Sequence, residues 1–190
     1  KAIGTSEMEV ALYAFRYEGV SELDGVNGGT VVDSVDVKLG DISPGETKYY
    51  RFNIYNFLMD ENNKEKLTET SISYNLKLIT TTNLPLTYSL YLNQSPYSSN
   101  ANDLLKTSGS GTLDDVITDG FGTYYKVFPV DPKCFKLGGD LKYDQYTLAV
   151  HFPEEYSGIL YQDLIESIKI QVESKQVLPG DPVLNSNVCR

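Results

Sequence analysis

Residues 71–80, SISYNLKLIT, set Ile72, Tyr74, Leu76 and Leu78 in strict alternation with Ser71, Ser73, Asn75 and Lys77. Successive side chains of an extended chain point to opposite sides, so this period of two builds a strand with one apolar face. The pattern recurs in 86–93 through Leu86, Tyr88, Leu90 and Leu92, and in 141–152 through Tyr146, Leu148, Val150 and Phe152. It recurs again in 48–57 through Tyr50, Phe52 and Ile54, and in 167–177 through Ile168, Ile170 and Val172. Residues 7–17 alternate Met8, Val10, Leu12 and Ala14 against Glu9, Tyr13, Phe15 and Tyr17, and 31–39 and 123–130 complete the strand set. Segments 21–30, 58–69 and 94–115 read as polar loops, the last with one helical turn at 103–106. Segment 156–167 fits helix or strand equally. Strands of this kind without a long helical segment predict an all-β fold: two packed antiparallel sheets in a jelly-roll-like sandwich, with one or two short helices in loops. The domain plan is a segment 1–6, one sandwich domain 7–177 and a tail 178–190 broken by Pro and Gly.

Between two alternating segments lies Ser43-Pro44-Gly45-Glu46. Pro44 presets φ for the second turn position and Gly45 tolerates positive φ at the third, which prescribes a type II turn, read here as a hairpin.

The chain of 190 residues carries a net charge of −10, which repels phosphate backbones and anionic lipid. No run of about 18 apolar residues exists, so no membrane span is expected. The chain begins at Lys1 without Met, which fits a processed, secreted chain or a trimmed one.

Chemistry-bearing residues are few. His151 is the sole histidine and sits on the face opposite Leu148, Val150 and Phe152. Nucleophilic catalysis needs an imidazole beside Ser or Cys with an orienting acid, and no nucleophile motif is present. The expectation is a pairing or surface histidine and no enzyme. A zinc site needs three or four close N or S ligands, which one His and two Cys do not provide. Cys134 and Cys189, 55 residues apart, read instead as a disulfide tying the tail back to a loop at 132–134 and implying an oxidising location; an intermolecular bridge or two free thiols are the alternatives. The acidic groups Asp60-Glu61, Asp114-Asp115-Asp119 and Glu154-Glu155 read as solvated loops, because their spacing is not that of a calcium loop. Asn93-Gln94-Ser95 matches a glycosylation acceptor formally, but Pro96 follows it. No cofactor is expected. The chain has 15 tyrosines, which serve sheet packing, subunit contact or sugar stacking.

Three pieces resemble the secreted TasA/camelysin-type proteins, the bacterial fibre-forming matrix family that depends on a dedicated signal peptidase. EMEVALYAFRYEG is similar to that family's first strand, VKLGDISPGETKYYRFNIYNF to its turn-and-strand unit, and ESIKIQVESKQV to its closing strand. The resemblance implies a jelly-roll sandwich, secretion, and assembly into a homopolymer in an extracellular or biofilm matrix, in company with other matrix proteins or polysaccharide. Subunits of that family join by donor-strand exchange. Carried onto this chain, Lys1, Ala2, Ile3, Gly4, Thr5 and Ser6 begin the donor segment, with Ala2 and Ile3 as pocket-filling side chains, while Pro44 and Gly45 form the structural turn. Six residues before Glu7 reach about 20 Å when extended, which leaves the first strand itself as the alternative donor. The contrasting function is a secreted carbohydrate- or cell-surface-binding module.

Overall fold

The computed structural model describes residues 5–11, 34–37, 39–59, 62, 64–67, 71–81, 83–93, 99–107, 115–118, 124–139, 143–157 and 166–190. The strands are β1 (Thr5–Ala11), β2 (Ser34–Val37), β3 (Thr47–Tyr55), β4 (Phe57–Met59), β5 (Glu65–Leu67) and β6 (Ser71–Thr81). They continue with β7 (Thr87–Asn93), β8 (Leu104–Thr107), β9 (Asp115–Thr118), β10 (Tyr124–Phe135), β11 (Tyr143–His151) and β12 (Ile168–Val177). Two five-stranded sheets form, in the orders β1-β3-β11-β7-β8 and β2-β12-β6-β10-β9, beside a small β4-β5 hairpin. Every pairing between these strands is antiparallel except β1 with β3. The chain is therefore an all-β sandwich, as its alternation predicts.

The inward faces are those set by period two. Tyr50, Phe52 and Ile54 of β3, Tyr146, Leu148 and Val150 of β11, and Leu90 of β7 meet Leu76 and Leu78 of β6 and Ile168, Ile170 and Val172 of β12 in one continuous core. Phe52 and Tyr146 stack at the centre, with ring centroids 5.0 Å apart and planes within 9°. Offset aromatic pairs of this kind add about 0.5–1.5 kcal/mol beyond their burial.

Several expectations need correcting. Segment 58–69 is not all loop, because Phe57, Leu58 and Met59 pair with Leu67, Lys66 and Glu65. Three-residue arms are too short to display a period, so nothing in the local pattern announces them. The helical turn expected at 103–106 is a 3-10 turn at Ala101–Asp103 followed by β8. The aspartate-rich loop contains β9, in which Asp115 pairs with Val127; Asp114 and Asp119 lie outside the described residues. Residues 132–134 belong to β10 rather than a loop. Pro132 is accommodated there by a register shift between Val130 and Lys133, since a proline donates no ladder hydrogen bond. The first strand occupies Thr5–Ala11, so Thr5 and Ser6 are strand residues, and 12–17 lie outside the described residues, as do 158–165 of the ambiguous segment.

The Pro-Gly turn forms with its prescribed geometry. Gly45 has φ 86°, and the Glu46 N–H donates to the Ser43 carbonyl at 2.9 Å. It is not a hairpin, however: β2 belongs to one sheet and β3 to the other, so the turn finishes a crossing between sheets. Gly45 N–H donates to the Phe152 carbonyl at 2.7 Å and Phe152 N–H to the Glu46 carbonyl at 3.0 Å, which locks the turn to the end of β11. The Lys48 ammonium donates to the Leu39 and Asp41 carbonyls and closes the crossing. Gly45→Ala forces a Cβ into a left-handed conformation and is expected to lower stability by about 1–2 kcal/mol. The check is a lower urea midpoint with an unchanged denaturant slope.

Candidate functional site

The edge of the first sheet is built from β1 and β3. Residues Thr5 to Ala11 run parallel to Tyr49 to Tyr55, with Thr5 opposite Tyr49 and Ala11 opposite Tyr55. The other side of β3 is paired with β11. Backbone N–H and C=O groups need partners wherever water is excluded, so β1 completes a strand whose Tyr50, Phe52 and Ile54 are buried. Among the described residues β1 pairs with no other strand, and its far side is the sheet edge. Thr5 and Ser6 of the candidate donor segment supply the first two positions of this pairing, opposite Tyr49 and Tyr50; Lys1, Ala2, Ile3 and Gly4 lie outside the described residues.

A second feature lies at the other end of the chain. Cys134 and Cys189 form a disulfide, and the residues around it continue β10 with a short parallel partner. Cys134 N–H donates to the Val188 carbonyl at 3.2 Å, Arg190 N–H to the Cys134 carbonyl at 3.1 Å, and Lys136 N–H to the Arg190 carbonyl at 2.8 Å. A Cβ on Gly139 would lie 3.0 Å from the Arg190 carbonyl oxygen, so only glycine admits this approach. Val183, Leu184 and Val188 pack on Cys134, Val177 and Cys189 in a small satellite core.

This docking delivers Arg190 to a buried acid. Arg190 Nη2 lies 2.7 Å from Asp144 Oδ1, with the arginine side chain 37% exposed and the aspartate 3%. Tyr74 of the opposite sheet donates its hydroxyl to Asp144 Oδ2 at 2.5 Å. With that proton committed, the Tyr146 hydroxyl donates to Tyr74 Oη at 2.6 Å. Burial pushes the Asp144 carboxyl above its ordinary value, opposed by the Tyr74 hydrogen bond and the charges of Arg190 and Lys133. Both phenols are also raised, chiefly by burial, and stay protonated donors. The cluster thus bonds sheet to sheet through an acid that could not otherwise be buried. Asp144 shares the inward phase of Tyr146 and Leu148, so an acid on the apolar face was the available sequence signal; its partners lie 70 and 46 residues away and carry none.

The remaining candidates are occupied by local roles. His151 Nδ1 lies 2.8 Å from Thr47 Oγ1 across the β3–β11 pair. Glu154 and Glu155 are exposed in a 3-10 turn, while Asp60 and Glu61 lie outside the described residues. Asn93 is buried, accepts from Thr147 Oγ1 at 2.6 Å and donates to Asp103 at 3.1 Å. Among the described residues no group of three or more His, Cys, Asp or Glu is arranged to hold a metal, and no helix is long and apolar enough to cross a membrane.

No protein-family model matches the chain, and no curated protein matches its sequence.

Proposed function

We propose that this chain is a non-enzymatic structural subunit of an extracellular fibre or biofilm matrix, joined to copies of itself by strand addition through β1. The observation that carries the reading is the parallel seven-residue strand at the edge of β3. Exchanging β1 between copies breaks no other pairing among the described strands, and every hydrogen bond it loses in one molecule is regained in the next. Parallel pairing is also slightly weaker per residue than antiparallel, which suits a strand that must leave and return. The net charge of −10 opposes indiscriminate association and favours growth through one specific edge.

The strand orders β2-β12-β6-β10 and β3-β11-β7-β8 support a jelly-roll reading of the sandwich. The disulfide supports an oxidising, extracellular location. The three motifs that resemble the TasA/camelysin-type proteins support the same function, with other matrix proteins or polysaccharide as further partners.

The test is negative-stain electron microscopy of three samples: the intact chain, a chain lacking residues 1–11, and the full chain carrying Met8→Pro and Glu9→Pro. Neighbouring strand residues direct their N–H groups to opposite edges, so one of the two prolines removes a donor to β3. Fibres are expected from the intact chain alone. A peptide of residues 1–11 should bind the truncated chain saturably without restoring fibres. Fibres of unchanged abundance from the truncated chain would overturn the role of β1. Monomers from the intact chain under every assembly condition would favour the secreted carbohydrate- or surface-binding module, with Tyr143 and Tyr156, each 40% exposed, as stacking residues.

A further inference from the structure

The tail after β12 is fastened at its far end. Among the described residues, the hydrogen bonds from 178–190 to the sandwich are made at Val188 and Arg190, within two residues of Cys189. The bonds nearer β12 are internal to the tail: Asp181 N–H to Leu178, Leu184 N–H to Asp181, and Ser186 N–H to Val183. Leu178 stands 63% exposed. The tail therefore leaves Val177 through an exposed turn, folds back with Val183 and Leu184 on the Val177 cluster, and is pinned where the disulfide, three backbone hydrogen bonds and the Asp144–Arg190 pair converge.

We propose that residues 178–190 form a redox-operated latch: the Cys134–Cys189 bridge holds Arg190 on Asp144, and a dithiol that opens the bridge frees the tail as a unit and lifts Arg190 off Asp144. The exchange is balanced by the dithiol, which closes to its own disulfide while two electrons and two protons convert the bridge to two cysteine thiols. Without the bridge, three backbone hydrogen bonds, the small apolar cluster of Val183, Leu184 and Val188 on Val177, and one ion pair that is open to water on the arginine side must hold a segment with a large conformational entropy to regain.

Release has an electrostatic consequence. Asp144 faces Tyr74 on β6, Tyr146 on its own strand, Lys133 on β10 and Arg190 on the tail. Among the described residues Lys133 then supplies the other nearby positive charge, whereas in the latched form Arg190 touches the carboxylate. Opening the latch withdraws the Arg190 charge, which favours the carboxylate beside the Tyr74 hydrogen bond, and also admits water to Asp144, which relieves the burial that raises it; the two effects oppose one another.

The experiment uses the full chain, oxidised and dithiol-reduced, read by amide hydrogen exchange and by the pH titration of the Asp144 carboxyl carbon in nuclear magnetic resonance. On reduction the amides of Cys134, Lys136 and Arg190 are expected to exchange at least tenfold faster while those of Leu148 and Ile170 keep their protection. Continued protection of the three amides would overturn the latch. Loss of core protection together with the tail would also overturn it, because the bridge would then be a requirement for folding. Oxidised Arg190→Gln separates the two ties: the midpoint should rise while the three amides stay protected. If that variant frees the amides with the bridge intact, the ion pair holds the tail and the redox assignment fails.

Discussion

Phe52→Ala is expected to destabilise the protein by about 3–5 kcal/mol, the range for removing a buried aromatic ring without refilling its space. Phe52 is 0% exposed and lies on β3, between the edge strand β1 and the central strand β11. Its ring rests on Tyr146, whose hydroxyl bonds Tyr74 and through it Asp144. The cavity would thus remove the support of the buried polar cluster as well as core contacts. Urea denaturation of wild type and variant measures this directly. Phe52→Leu keeps most of the volume and should cost less than half as much. Equal losses for the two variants would mean that ring stacking, rather than filled volume, sets the effect. If strand addition occurs at the β3 edge, Phe52→Ala should also weaken binding of the 1–11 peptide, because the backbone of β3 loses the packing that holds it flat.

Arg190→Gln is expected to cost about 3 kcal/mol at neutral pH, the lower end of the range for breaking a buried pair, because the arginine side is already open to water. The sign of the pH dependence follows from Asp144. Its folded carboxyl is raised above the unfolded value by burial, and losing Arg190 raises it further. A raised acid binds its proton more tightly in the folded state, so its contribution is present below the unfolded carboxylate range and is lost as pH rises through the folded value. The deficit of the variant should therefore be small at about pH 4 and grow toward neutrality. Denaturant midpoints for both proteins across that interval provide the check. A deficit independent of pH would show that Arg190 acts by packing its stem, with no role for the charge on Asp144. Asp144→Asn in the variant background should recover part of the loss, since it removes a buried charge that has lost its ion pair.

Legibility differed between elements for physical reasons. The long strands were readable because each carries its own apolar phase: Ile72 to Leu78, Tyr146 to Phe152 and Ile168 to Val172 all face the core as their alternation required. The type II turn was readable because φ at Gly45 and the bond across Ser43 and Glu46 are local properties. What that turn joins was not, because assigning β2 and β3 to different sheets depends on every other strand. Short strands such as β4, β5, β8 and β9 carry too few residues to show a period and exist because a neighbouring strand offers hydrogen bonds.

By itself, then, the order of residues determined an all-β chain, its inward faces, its cysteine pair as candidates for a bridge and the geometry of its Pro-Gly turn. Tertiary structure alone decided that β1 lies parallel to β3 and that Arg190 reaches Asp144. Both are pairings between segments distant along the chain, and the energy of such contacts appears only when folding brings the partners together and removes the water between them.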